Sequence, residues 1–244
     1  MLYYTRIINN ERKKSMKRSE LNRIIADAVV FLDKQNFKLP PFAFWSMEHW
    51  SSVNEEYREI RDNMLGWDIT DFGSGDYWNI GLLMFTIRNG SFTDKITYPK
   101  TYAEKILIVG EGQVTPYHFH WKKMEDIINR GGGNLMIKVY DSTPDEGKSD
   151  QPVAVNVDGR RYTVPAGTVI KLKAGESITL PCGQYHKFWG EKGFGTVLVG
   201  EVSNVNDDTV DNRFYDPVGR FPVIDEDESI RYPLFSDVRN LNQA

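Results

Sequence analysis

His118-Phe119-His120 sets two imidazoles two residues apart, the spacing that turns both side chains to one face of an extended strand. Glu125 follows five residues later, after an expected turn or loop, and can add a carboxylate oxygen. His186 lies just past Pro181-Cys182-Gly183, a turn able to aim it back toward the first pair. Three imidazoles and one carboxylate suit a divalent first-row transition metal and leave positions open for a substrate. The chain has only four histidines, so this set uses all but His49. His49 sits beside Trp50 in an expected helix and reads as a packing or surface residue. Cys182 reads as a small turn residue, since four conventional ligands are already present.

The elements that must carry these residues change character near Gly66. Before it, Ser19 is an expected cap for a helix whose Leu21, Ile24, Ile25, Ala28, Val29 and Leu32 form one stripe, ending before Pro40-Pro41. Residues 42–65 read as short aromatic-rich helices, with Ser46 and Ser52 as expected caps. After a turn-rich stretch over 68–75, Leu82 to Arg88 reads as a strand ending in a tight Asn89-Gly90 turn. Further short runs rich in Val, Ile, Thr and Tyr follow: 106–109, 135–140, 154–157, 161–164, 177–180 and 196–202. Many short strands at close intervals predict a mainly β chain, a sandwich or barrel, with an N-terminal helical section packed on it.

Composition narrows the function classes. At 244 residues and 40% hydrophobic content the chain can bury a core, which excludes dominant disorder. A formal charge of −4 lacks the concentrated positive surface of a phosphate-backbone binder, so no nucleic-acid partner is expected. No run approaches the ~20 apolar residues of a membrane span, and the N-terminus lacks a signal-peptide pattern. A single cysteine rules out an intrachain disulfide and fits a cytoplasmic protein. Residues 1–15 read as a loose extension, with Met16 as the natural start. The remaining divisions expected are 16–95, 96–203 for the barrel, and 204–244 for a loop and tail completing the site rim.

The spacing resembles the cupin family. Gly112, five residues, His118, one residue, His120, four residues, Glu125, six residues and Gly132 match the first cupin motif in full. Gly175, five residues, Pro181, one residue, Gly183, two residues and His186 match the second, with Gly190 where an Asn usually stands. The resemblance implies a double-stranded β-helix with the metal inside, ligated by His118, His120, Glu125 and His186. Cupins host many reactions, so fold alone selects none. A finer match covers Lys105, the stretch 113–125, Gly131 to Leu135, Gly200 to Asp208 and Asp211 to Phe214, and looks like the D-lyxose isomerase family. That likeness implies interconversion of D-lyxose and D-xylulose, with D-mannose and D-fructose as a second pair. It also implies a manganese cofactor (Co²⁺, Fe²⁺ or Zn²⁺ as substitutes), a homodimer, and Lys123 as a substrate contact.

The residues fit such chemistry. Moving a proton or hydride between C1 and C2 of a sugar needs an electrophile at the oxygens, and the proton route also needs a base at carbon. Glu201 ends an apolar strand and Lys105 precedes another, positions where charge is locally disfavoured. Glu201 is the expected base and Lys105 the expected partner of an alkoxide. Alternatively, Glu201 is a strand-end charge facing solvent and Lys105 keeps its amine in water. Asp211 and Arg213 either grip sugar hydroxyls from a rim loop or pair as ordinary loop charges. Two other classes use the same ligand set, a cupin dioxygenase or decarboxylase and a non-catalytic sugar-binding cupin.

Overall fold

The computed structural model describes residues 15–205, 207–219, 222–239 and 241. The expected loose extension therefore lies outside the described residues, apart from Ser15. The chain opens with β1 (Met16–Lys17), α1 (Arg18–Lys34), a 3-10 turn at Pro41–Phe44, α2 (Met47–Ser52), a second 3-10 turn at Glu55–Tyr57, and α3 (Arg58–Asp62). The strands that follow are β2 (Gly66–Thr70), β3 (Leu82–Arg88), β4 (Tyr102–Val109), β5 (Val114–Phe119), β6 (Glu125–Gly132) and β7 (Leu135–Asp141). Then come β8 (Val153–Val157), β9 (Arg160–Val164), β10 (Val169–Leu172), β11 (Ser177–Leu180), β12 (Gln184–Gly190) and β13 (Val197–Asn204). Two-residue strands β14 (Arg213–Phe214) and β15 (Ile224–Asp225) precede α4 (Phe235–Val238).

These strands form the mainly β barrel expected. An eight-stranded sheet, ordered β2-β3-β4-β13-β6-β11-β8-β9, shares one core with a five-stranded sheet, ordered β10-β7-β12-β5-β14. Period-two alternation decides what each face carries. On β3, β4 and β13, Leu82, Leu107, Val109, Val197 and Val199 point between the sheets. Their neighbours Leu83, Phe85, Ile106, Ile108 and Leu198 point outward, under the apolar stripe of α1 (Leu21, Ile24, Ile25, Ala28 and Leu32). Continuing the inward parity by two residues puts Lys105 and Glu201 on the inner face. They are direct cross-strand partners.

The N-terminal section differs from the sequence reading at one strand and two caps. Besides the helices and β3, the strand expected at Leu82–Arg88, segment 16–95 supplies β2, and both strands join the barrel sheet through β3–β4 pairing. The turn-rich composition hid β2, whose Trp67 and Ile69 are buried by α1 and the 3-10 turn rather than by alternation alone. Ser19 does not cap α1: Lys17 holds the cap position, and Ser19 N–H and Oγ donate to Asp227, at 2.9 and 2.8 Å. The tail supplies that acceptor because β1 pairs with β15 in parallel. Arg18, 1% exposed, is gripped there by Glu226 and Asp237, at 2.7 and 3.0 Å. Ser46 caps α2 as expected, accepting from His49 N–H, whereas Asn54 rather than Ser52 caps the following turn.

Candidate active site

Four elements bring the expected ligands together. His118 lies on β5 and His186 on β12, directly opposite each other in the antiparallel ladder. His120 follows β5, and Glu125 is the first residue of β6. One ligand atom from each of the four lies within 4.8 Å of the others, and all four residues are buried. The turn before His186 ties the two motifs: Gly183, at φ +76°, donates its N–H to the His120 carbonyl at 3.0 Å. Gly190 is explained by packing too. A Cβ there would stand 2.6 Å from the Gly110 carbonyl oxygen, so the Asn usual at this place has no room.

Hydrogen bonds fix which ring nitrogens face the centre. His118 Nδ1 contacts the Pro116 carbonyl at 2.9 Å, His120 Nδ1 the Asp211 carbonyl at 2.8 Å, and His186 Nδ1 the Gln184 carbonyl at 3.1 Å. A carbonyl only accepts, so each Nδ1 carries the proton and each Nε2 presents a lone pair. Burial, reinforced by the other two histidines, pushes His118 well below the ordinary histidine range, which keeps the ring neutral. The Nε2 atoms of His120 and His186 are buried with no hydrogen-bond partner, while Glu125 Oε1 stands 3.4 and 3.1 Å from them. Several electron-pair donors thus converge with no proton between them. That donor set fits a divalent cation.

Beside this group a cavity of about 310 Å³ opens between the sheets. Lys123, Lys105, Glu201 and Asp208 line its charged wall, and Phe72, Leu82, Met84, Leu107 and Phe188 line the apolar one. Lys123 Nζ bridges Glu125 Oε2 at 2.7 Å and Glu201 Oε1 at 2.8 Å. Lys105 Nζ stands 3.4 Å from the same Glu201 oxygen and 2.9 Å from Asp208 Oδ2. Burial opposes the charge on Lys123, but Glu125, Glu201 and Asp208 more than offset it and hold the ammonium above the ordinary lysine range. Burial likewise opposes the charge on Glu125, and the Lys123 ammonium overcomes it, holding the carboxyl well below the usual range.

The two residues expected at the rim stand elsewhere. Asp211, 3% exposed, does not line the cavity. Its carboxylate accepts from the backbone N–H groups of Lys122 and Lys123, both at 3.0 Å, while its carbonyl orients His120. Arg213 is also absent from the cavity wall and donates from Nε to Glu146 at 2.6 Å. His49 is exposed and packs on Trp45, away from the ligand group. The sequence reading did not single out Asp208, Thr115 or Asn212, all of which line the cavity. For Asp208 the available signal was its place in the stretch that resembles the isomerase family.

Comparison with known proteins decides the family. The D-lyxose isomerase family profile matches residues 16–238. The chain belongs to the D-lyxose isomerase family. A D-lyxose/D-mannose isomerase of Escherichia coli O157:H7 is 47% identical over 225 residues, spanning 92% of this chain and 99% of that protein. One from Serratia proteamaculans is 49% identical over 220 residues, spanning 90% and 96%. Among solved structures, L-ribose isomerases of Acinetobacter sp. DL28 and Cellulomonas parahominis both superpose with TM-score 0.58, at 16% and 15% identity. Each covers 87% of this chain and 99% of its own, a likeness of fold that matches the cupin barrel of this family member.

Proposed function

We propose that this member of the D-lyxose isomerase family is a metal-dependent aldose–ketose isomerase that converts D-lyxose to D-xylulose, with D-mannose to D-fructose as its second reaction. The observation that carries the reading is the junction of two chemistries on one cavity wall. Lys123 touches both Glu125 of the ligand group and Glu201, so a substrate held at the ligands lies against a carboxylate. His118, His120, Glu125 and His186 would hold a divalent ion, with Mn²⁺ expected, which would supply Lewis acidity to the sugar oxygens. Glu201 takes the proton from C2 and returns it to C1. Lys105 and Lys123 flank Glu201, orient it, and donate to the oxygens as charge develops on them. Asp211 orients His120 and fixes the backbone beneath Lys123 rather than touching sugar. Arg213 pairs with Glu146 away from the cavity wall.

A wall of lysines and carboxylates suits a polyhydroxylated substrate better than an apolar one. The homodimer and the cytoplasmic location are further expectations of this reading. Exposed Phe44 and Tyr57 supply apolar surface for the dimer, which light scattering tests. No helix among the described residues is long and apolar enough to cross a membrane. The test of function is conversion by Mn²⁺-supplemented protein across D-lyxose, D-mannose, D-xylose and L-ribose. D-Xylulose from D-lyxose, with slower D-fructose from D-mannose, is expected. Sugar binding without turnover across the panel would instead make this a sugar-binding cupin.

A further inference from the structure

The proposed isomerisation needs a free C1 carbonyl, whereas pentoses and hexoses rest mainly as closed hemiacetal rings. We propose that Lys105 and Asp208 form a ring-opening pair, giving the protein a second, separable activity: interconversion of sugar anomers. The inference rests on the isomerase reading of the cavity.

Four observations carry it. Lys105 is 3% exposed, and both it and Asp208 line the cavity that holds the ligand group. Their contact, Nζ to Oδ2 at 2.9 Å, places an acid and a base side by side. Neither residue is among the four ligands, so the pair's chemistry is distinct from that of the ligand group. Finally, Lys105 Nζ is 3.4 Å from Glu201. The anomeric hydroxyl and the ring oxygen are both bonded to C1, the carbon to which Glu201 returns its proton. A ring-opening acid and base must therefore sit next to Glu201, and this pair does.

The step balances without any further reactant. The O1 proton passes to the Asp208 carboxylate as the C1–O1 double bond forms. The bond from C1 to the ring oxygen breaks, and that oxygen takes a proton from the Lys105 ammonium. Asp208 then returns its proton to the Lys105 amine across their shared hydrogen bond, and the pair is restored. Concerted acid–base action of this kind contributes about 10²–10⁴-fold in positioned side chains.

The test separates this activity from isomerisation. Metal-loaded Glu201→Gln, which is expected not to isomerise, is mixed with freshly dissolved α-D-mannose and optical rotation is followed. The expected result is approach to anomeric equilibrium at least about tenfold faster than in buffer. Adding Asp208→Asn to that variant should return the rate to that of buffer. Asp208→Asn is nearly isosteric, and the Tm of each variant reports its folding. Should it unfold, Lys105→Met tests the same pair. No acceleration by Glu201→Gln, or equal acceleration with the pair removed, overturns the proposal even where the wild-type protein isomerises D-lyxose. An inactive wild-type protein would overturn the isomerase reading instead.

Discussion

The two faces of β3, β4 and β13 are built from the same strands and hold opposite contents. The outer face is apolar: Leu83, Phe85, Ile106, Ile108 and Leu198 lie under α1, with Phe85 stacked 5.4 Å from Phe42 and edge-on to Trp67 at 4.9 Å. The inner face begins the same way, with Leu107, Val109, Val197 and Val199, and then turns to Lys105 and Glu201 within two residues. Buried charges are costly unless paired, and here none stands alone. Lys105 meets Glu201 and Asp208, and Lys123 meets Glu201 and Glu125. The comparison teaches that one face supplies the stability that lets the other hold closely packed charge beside a cavity.

Substitutions that strike one face alone sharpen that contrast. The largest effect is expected from Glu201→Gln, which should lower turnover by about 10²–10⁴-fold while leaving metal content and Tm near those of the wild type. Steady-state rates beside elemental analysis check this, and full activity would remove Glu201 from the chemistry. On the outer face, Phe85→Ala should cost about 3–5 kcal/mol in denaturant unfolding and leave metal affinity unchanged in the folded fraction. A joint loss of both would mean that the faces are not separable.

Smaller effects belong to the supports. Asp211→Ala frees the N–H groups of Lys122 and Lys123, and metal affinity should fall about 10–100-fold by titration, with a smaller fall for Asp211→Asn. Smallest is the clamp beneath α1. Its hydrogen bond to Arg18 holds Glu226 below its ordinary 4.5. The unfolded chain then binds the extra proton, so this contribution is present in full above about pH 4.5 and is lost as pH falls through the folded value. The stability gap between wild type and Glu226→Gln should be constant above that pH and close below it.

What the sequence made legible follows from how local each feature is. His118, His120 and Glu125 lie within eight residues, and strands such as Ser177–Leu180 declare themselves by their own composition. Strand β6 does not: it starts at Glu125-Asp126 and ends at Arg130-Gly131-Gly132, where charge and glycine mask a ladder that its neighbours β11 and β13 impose. The misread cap at Ser19 and the misplaced rim role of Asp211 share one cause. Their partners, Asp227 and the backbone of Lys122 and Lys123, are far away in sequence and close only in the fold. The inward direction of Lys105 and Glu201 was readable in principle by counting in twos from Leu107 and Val199.

The most direct test of the account is the metal content of His186→Ala, measured by elemental analysis after Mn²⁺ loading, with His49→Ala as the control. His186 is the ligand contributed by the second motif, and His49, the one histidine outside the ligand group, does not line the cavity. The expected result is a fall to trace metal for His186→Ala and wild-type metal for His49→Ala. Undiminished metal in His186→Ala would contradict the assignment of the inner face as the metal centre.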